Sequence, residues 1–107
     1  MLIVSCQKMN EIAKLWEEFQ SRPFPDGIAG EEINGVEPVE IDTFTAGCVS
    51  TYVGNKGSLD IERINILKKC MSELEAILPE LNSEGKEYFS ILQKLGNLIL
   101  SRVANSS

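Results

Sequence analysis

Two amphipathic stripes, over residues 60–78 and 83–103, constrain the fold more than any other feature of this sequence. Apolar residues recur in each stripe at alternating steps of three and four positions, which places them on one face of an α-helix. Pro79 disfavours helical geometry at Leu78 and is therefore expected to end the first helix. Because only a few residues then separate the two helices, we expect them to fold back on each other as antiparallel neighbours.

The starts of these two helices carry recognisable capping residues. Asp60 is a suitable N-cap for the first helix, because its carboxylate can accept a hydrogen bond from an unpaired amide of the first turn. Asn82 or Ser83 can cap the second helix in the same way. Gly96 lies in the middle of the second helix, where glycine costs about 1 kcal/mol relative to alanine. We interpret it as a point of close approach between the two helices.

A third long helix is predicted over residues 2–21. Its apolar side chains follow a heptad pattern and are Leu2, Cys6, Met9, Ile12, Trp16 and Phe19. Residues 2–4 alone would also suit a short strand, but the heptad continues through them and favours a helix. Two prolines and an Asp-Gly dipeptide within residues 22–27 then stop this helix.

The segment 22–42 differs from the rest of the chain in its charge. It contains six of the sixteen acidic residues and one basic residue, Arg22, so that its local charge of −5 accounts for most of the net charge of −6. Four of its acids, Glu31, Glu32, Glu37 and Glu40, are candidates for binding a basic partner, because clustered charge of one sign attracts the opposite sign. Calcium loops need a regular ladder of ligands, which this segment lacks.

A small acidic β-hairpin is predicted inside this segment. Asn34 and Gly35 form the dipeptide that a type I′ turn prefers, with apolar residues on both sides. Val39 and Ile41 continue the alternation of a strand, and Pro38 would confine that strand to an edge. A hairpin this small needs the helices beneath it for stability.

Residues 43–53 are predicted to form a short helix with Asp42 as its N-cap and Gly54 as its C-terminal stop. The apolar face of that helix would hold Phe44, Cys48 and Tyr52. The alternative is an extension of the sheet, since Thr, Val and Tyr favour strands. The fold class that follows is mainly α: one domain over residues 1–107, built as a bundle of three long helices plus one short helix, with the acidic hairpin as an excursion.

Composition excludes several classes of function. With 43% hydrophobic and 24% charged residues the chain is typical of soluble globular proteins, and no apolar run approaches the ~20 residues that span a bilayer. We therefore expect a cytoplasmic protein without membrane association. A net charge of −6 argues against nucleic acid as a partner, because phosphates need a basic surface.

The chain offers little catalytic or metal-binding chemistry. It has no histidine, and its three cysteines, Cys6, Cys48 and Cys70, are far apart. Zinc fingers, thioredoxin-like Cys-x-x-Cys redox motifs and Cys-His nucleophiles are therefore excluded, and buried thiols in a reducing compartment are expected. We nominate no catalytic residue, no metal ligand and no cofactor, and an enzyme is the less favoured interpretation.

The loop 54–58 is a second candidate site. Lys56, Gly57 and Ser58 precede a helix N-terminus, where backbone N–H groups can bind an anion. The order of residues departs from the GxxxxGK[ST] pattern of a P-loop, and Asp60 at the cap would repel a phosphate. An inter-helix turn is the simpler interpretation.

Three runs, PDGIAG at 25–30, DTFTAGC at 42–48 and LDIER at 59–63, together resemble a family of short, uncharacterised bacterial proteins, cyanobacterial ones in particular. The resemblance spans most of the chain but implies no activity and no functional residues.

The sequence therefore favours a non-catalytic protein-interaction or oligomerisation module, expected to form a homodimer and to present its acidic segment to a basic protein partner. The alternative is a small-anion or nucleotide-binding protein, or an enzyme, that uses the loop 54–58 with Lys56 and Ser58 on the anion.

Overall fold

The computed structural model describes residues 3–25, 27 and 32–105, with side chains from residue 11 to residue 103. Its helices are α1 (Ile3–Gln20), α2 (Pro38–Gly54), α3 (Ile61–Ile77) and α4 (Ser83–Asn105), with a single 3₁₀ turn at Leu78–Glu80 between α3 and α4. Helix α4 contacts all three other helices, and α3 packs most extensively on α2. The architecture is mainly α-helical, as predicted, but all four helices are long.

The α3–α4 hairpin matches the prediction in its ends and its contact point. The Asp60 carboxylate accepts the Arg63 amide at 3.2 Å, and the Asn82 Oδ1 accepts the Gly85 amide at 2.8 Å, so Asn82 rather than Ser83 is the second capping side chain. A β-carbon placed on Gly96 would overlap the Met71 side chain of α3. Glycine thus lets α4 approach α3 closely, as its position suggested.

Helix α2 corrects the sequence prediction. It begins at Pro38, so Val39, Glu40 and Ile41 are helical and not part of a strand, and the short helix predicted over 43–53 is a longer one. Proline suits a first helical position because its fixed φ is helical and its missing N–H would be unpaired there in any case. The buried face of α2 is formed by Pro38, Ile41, Thr45, Cys48, Val49 and Tyr52.

The predicted hairpin is not found among the described residues. Asn34 and Gly35 do adopt positive φ angles, and Ile33 and Val36 exchange backbone hydrogen bonds of 2.8 and 3.0 Å across them. This single bridge has no strand on either side of it in residues 32–37, because α2 starts two positions after Val36. Residues 26 and 28–31 of the predicted acidic segment lie outside the described residues.

The core lies where α4 meets the other helices. Its fully buried side chains include Ile12 from α1, Ile41 from α2, Leu67 and Leu74 from α3, and Phe89, Leu92, Leu95 and Ile99 from α4. In α1, Ile12 and Phe19 are buried while Trp16 is half-buried. The predicted heptad positions Leu2, Cys6 and Met9 lie outside the described side chains. Five aromatic rings, Trp16, Phe19, Phe24, Tyr88 and Phe89, pack in one cluster between α1 and α4.

Two polar links hold elements against α4. The Tyr88 hydroxyl donates a 2.8 Å hydrogen bond to the Asp42 carboxylate, which joins α4 to α2. The Arg22 guanidinium donates to Glu87 at 2.7 Å and to Glu18 at 3.2 Å, which joins the end of α1 to α4. Asp42, predicted as an N-cap, is therefore an interior helical residue with a side-chain partner on another helix.

Candidate partner-binding face

Two rows of side chains border the groove between α2 and α3. On α2 the row is Glu37, Glu40, Phe44, Gly47 and Thr51, and on α3 it is Arg63, Ile66, Cys70 and Glu73. Both rows follow steps of three and four residues, so each runs along one side of its helix. The row on α2 lies beside the buried stripe and not on it, and for this reason its members reach solvent. We call these two rows the α2–α3 face.

Phe44 and Ile66 form an apolar ridge across the middle of this face. Phe44 is 53% exposed and Ile66 is 38% exposed, although both are large apolar side chains. Phe44 was predicted to share a buried stripe with Cys48 and Tyr52, and the structure instead turns it to the flank of the helix. Its position follows from the burial of Ile41 and Thr45, which rotates the buried stripe of α2 away from residue 44.

A depression of about 300 Å³ lies on one side of the ridge. Ile41 and Cys70 line its apolar part, and Glu37, Glu40 and Glu73 stand around it. Lys69 is the one basic residue among its lining side chains and approaches Glu73 at 4.0 Å. Three carboxylates and one ammonium give this end of the face a local charge of −2 at neutral pH.

A second depression of about 250 Å³ lies on the other side of the ridge. Cys48, Gly47 and Thr51 line it from α2, and Arg63 lines it from α3. The Arg63 guanidinium bonds to the Asp60 carboxylate at 2.9 Å. Its hydrogen bond to Arg63 lowers the pKa of Asp60. This end of the face therefore carries a satisfied ion pair instead of a cluster of one sign.

The predicted partner-binding acids divide into three groups. Glu37 and Glu40 line the first depression, beside exposed apolar side chains. Glu32 is exposed but is not among the residues that line it, and Glu31 lies outside the described residues. The face also contains Phe44, Ile66, Lys69 and Glu73, which were not predicted to belong to it. The spacing of the two rows was visible in the sequence, but the exposure of their apolar members was not.

The loop 54–58 does not present its amides to an anion. The Lys56 N–H donates to the Val53 carbonyl at 3.2 Å, and the Gly57 N–H donates to the Tyr52 carbonyl at 2.8 Å. This pair of bonds is the Schellman arrangement that closes a helix C-terminus. Lys56 holds the left-handed position with φ of 57°, and it stands at the negative end of the α2 dipole. The amides of Lys56 and Gly57 are thus engaged within the backbone and are not available to the predicted anion site.

Burial shifts the pKa values of four side chains, Asp42, Cys48, Cys70 and Tyr88. Burial raises the pKa of the Cys48 and Cys70 thiols, so both are protonated at neutral pH, whereas a nucleophilic cysteine needs a thiolate. Both thiols are buried and free, as predicted for them. Burial, followed by the bond to Asp42, raises the pKa of Tyr88 above its ordinary range. Burial also raises the pKa of Asp42, against the opposing effect of that bond.

Two other kinds of site are absent from residues 3–25, 27 and 32–105. No group of three or more Cys, Asp or Glu side chains there is placed to hold a metal ion. No helix in the same part of the chain combines the length and the apolar character needed to cross a bilayer.

Comparison of the chain with protein-family models, curated proteins and solved structures gives no match. Its function is therefore inferred from its own residues.

Proposed function

We propose that this protein is a non-catalytic protein-interaction module whose α2–α3 face binds a basic protein partner. The observation that carries the proposal is the exposed Phe44–Ile66 ridge, set between two depressions and beside three carboxylates. We also propose, from the resemblance of its sequence runs, that it belongs to a family of short bacterial proteins. Buried, free thiols at Cys48 and Cys70 support a cytoplasmic location.

The ridge supplies the apolar centre that a binding surface needs. Binding energy concentrates in a few large, desolvated side chains near the middle of an interface, and aromatic residues are enriched among them. Phe44 has more than half of its surface in water. Covering it and Ile66 would recover about 25 cal/mol for each Å² of apolar surface removed from water.

The carboxylates favour a basic partner over an acidic or neutral one. Glu37, Glu40 and Glu73 outnumber Lys69 around the first depression, and the whole chain has a net charge of −6. Complementary charge at the rim speeds encounter and rejects partners of the wrong sign more than it adds affinity. We therefore expect the partner to carry Lys or Arg beside an apolar anchor.

The test compares a charge-reversed variant on the α2–α3 face with one elsewhere that has the same net charge, and adds one variant of the ridge. Proteins captured on the immobilised chain are identified, purified and titrated against each variant, with circular dichroism confirming the fold. Glu37→Lys/Glu40→Lys and, separately, Phe44→Asp should each weaken binding at least about tenfold, as loss of a central contact does. Glu17→Lys/Glu80→Lys changes the same charge at exposed positions outside the face and should leave binding unchanged. Equal affinity for all variants would rule the proposal out.

A further variant separates the face from the rest of the acidic segment. Glu32→Lys reverses the predicted acid that is exposed but is not among the side chains lining the first depression. We expect little effect from it. If it abolishes binding while Glu37→Lys/Glu40→Lys does not, the partner recognises the segment before α2 and not the α2–α3 face.

Self-association is the second candidate function, and the same exposed ridge favours it. Exposed apolar patches mark interfaces, and a homodimer would cover Phe44 and Ile66 of both copies. Two copies would also bring six of their carboxylates together, which places this candidate second. Added salt distinguishes self-association from binding of a basic partner. Screening should strengthen a dimer that brings like charges together and weaken a complex between opposite charges. If the protein self-associates, light scattering over a concentration and salt series should show a dimer, and the Phe44→Asp variant should be a monomer. A monomer under all conditions would rule out self-association.

A further inference from the structure

The geometry points to a specific class of partner: an amphipathic helix with two bulky apolar residues seven positions apart and Lys or Arg in its last turn, lying along the α2–α3 groove. This inference rests on the proposed function. It adds the conformation, the spacing and the direction of the bound segment, none of which follows from the presence of an apolar and acidic surface alone.

The length of the groove fits a helix of about four turns. The row on α2 runs from Glu37 to Thr51, fourteen positions along a helix, which corresponds to about 21 Å at 1.5 Å per residue. The row on α3 runs beside it in the opposite direction, from Glu73 to Arg63. A single helix laid between the rows would touch both along its whole length, in the manner of a helix bound in a groove.

The spacing of the two depressions sets the spacing of the anchors. Ile41 lines the first depression and Cys48 lines the second, and these residues are seven positions apart on α2. Seven positions correspond to about 10.5 Å along a helix. A bound helix with bulky apolar side chains at positions i and i+7 places one in each depression. Phe44 and Ile66 rise between them, so small residues are needed at i+3 and i+4.

An extended segment cannot meet the same spacing. A strand rises about 3.3 Å per residue, so 10.5 Å corresponds to three residues, and side chains three apart in a strand point to opposite faces. One of the two depressions would therefore stay empty. The described residues also contain no strand whose edge could pair with an extended partner.

The charge distribution sets the direction of the bound helix. Glu37, Glu40 and Glu73 surround the first depression, whereas the second is bordered by Arg63 with its partner Asp60. Cationic side chains are most favourable in the last turn of a helix, near its negative dipole end. The basic C-terminal turn of the partner thus lies over the three carboxylates, and the bound helix runs antiparallel to α2 and parallel to α3.

The first test is a selection with displayed random peptides of sixteen residues against the full chain, with Phe44→Asp used to remove peptides that bind elsewhere. Enriched peptides should carry bulky apolar residues at i and i+7, small residues between them and Lys or Arg in the last turn. They should gain helical circular dichroism on binding and bind Glu37→Lys/Glu40→Lys at least about tenfold more weakly. Glu17→Lys/Glu80→Lys, with the same change of charge, should bind them as the unaltered chain does.

Other outcomes separate the inference from the function it rests on. Phe44-dependent peptides that contain proline throughout, or apolar residues at alternate positions, would overturn the helical partner and leave the binding face intact. A selection that yields no Phe44-dependent peptide, together with unchanged capture by Phe44→Asp, would overturn both.

The direction of binding is tested with a spin label on the selected peptide. A label at the C-terminus should broaden the amide signals of Glu37 and Glu73 and spare those of Thr51 and Arg63. The matched peptide, labelled at its N-terminus, should do the reverse. The opposite pattern would show that the helix runs parallel to α2, which contradicts the inferred direction.

Discussion

Helix α3 has two interfaces, and they are built differently. Toward α4 it packs closely at Met71, because Gly96 has no side chain to hold the two helices apart there. Toward α2 it is closed only at the bottom of a groove, and Phe44 and Ile66 stay in water above it. The main apolar stripe of a helix determines which side of it packs in the core. The residues beside that stripe determine whether the border of the packed interface is covered or stays in water.

The largest expected difference between the two regions is the response of two phenylalanines to the same substitution. Phe89 is fully buried in α4, and Phe89→Ala should lower the free energy of unfolding by about 3–5 kcal/mol, since it leaves a cavity. Phe44→Ala should cost less than about 1 kcal/mol because the ring is already half in water. Chemical denaturation measures both. Similar losses would mean that Phe44 belongs to the core and that the groove is not an open face.

The close approach at Gly96 can be tested against a second helical glycine. A β-carbon at Gly47 would meet nothing within 4 Å, so Gly47→Ala should raise the free energy of unfolding by about 1 kcal/mol through helix propensity. Gly96→Ala should instead lower the free energy of unfolding by about 1–3 kcal/mol relative to the natural chain, because the added methyl group overpacks against Met71.

Adding Met71→Ala to Gly96→Ala provides the control for that steric explanation. The overlap is then removed, and the double variant should lose less than the sum of the two single losses, as coupled neighbours do. Additive losses, or equal gains at the two glycines, would show that α3 and α4 are not in tight contact at this point.

The hydrogen bond that joins α2 to α4 is expected to contribute less than the core. Tyr88→Phe removes the donor to the Asp42 carboxylate at 2.8 Å and should cost about 1.5–2 kcal/mol in a denaturation experiment, the lower part of the range for bonds to charged groups. Tyr52→Phe is the matched control. Tyr52 is also buried, but its hydroxyl makes no hydrogen bond to the described residues. An equal loss of unfolding free energy in both variants would show that the Tyr88–Asp42 hydrogen bond does not contribute to stability.

A single substitution in the turn after α2 should increase the stability of the protein. Lys56 adopts φ of 57°, a conformation that costs a side-chain-bearing residue about 1–2 kcal/mol and glycine almost nothing. Lys56→Gly should therefore raise the melting temperature and the free energy of unfolding by about 0.5–1 kcal/mol. Lys56→Ala keeps the strain while removing the charge, so it should bring no gain. If both variants are more stable than the natural chain, the stabilisation comes from removal of the charge and not from relief of backbone strain.

The smallest expected effect concerns pH. Because burial raises the pKa of Asp42 in the folded protein, the folded state holds that proton more tightly than the unfolded state. Its contribution to stability is fully present below the unfolded value, about 3.9, and is lost as pH rises through the folded pKa. The stability of the natural chain relative to Asp42→Asn should thus fall as the pH rises above about 4. A relative rise would mean that the bond from Tyr88 outweighs burial.

The parts of the fold that could be predicted are those in which several signals agree. In α3 and α4 the apolar stripe and the capping residue indicated the same helices. The polar side chains opposite the stripe of α4 are exposed: Glu87, Ser90, Lys94, Asn97 and Ser101. In α2 the signals conflicted. Proline at position 38 can end a strand or begin a helix, and Thr45 interrupts the apolar stripe, so the start of the helix was placed too late.

The site was predictable only in its charges. An excess of acids can be counted, which is why Glu37 and Glu40 were nominated. Whether an apolar side chain at the edge of a stripe is covered depends on which neighbours pack over it, and periodicity does not contain that information. Phe44 was therefore assigned to the core, and Ile66 and Glu73 of a helix distant in sequence were not connected with it.

The bond between Asp42 and Tyr88 has a consequence for how the protein would meet a partner. Asp42 lies on the side of α2 that faces away from Phe44, so α4 fixes α2 from behind while its front remains open. A surface held in this way has its shape before the partner arrives, and little conformational entropy is lost in forming the complex. Association should then proceed at the rate of encounter and orientation, without a preceding opening step.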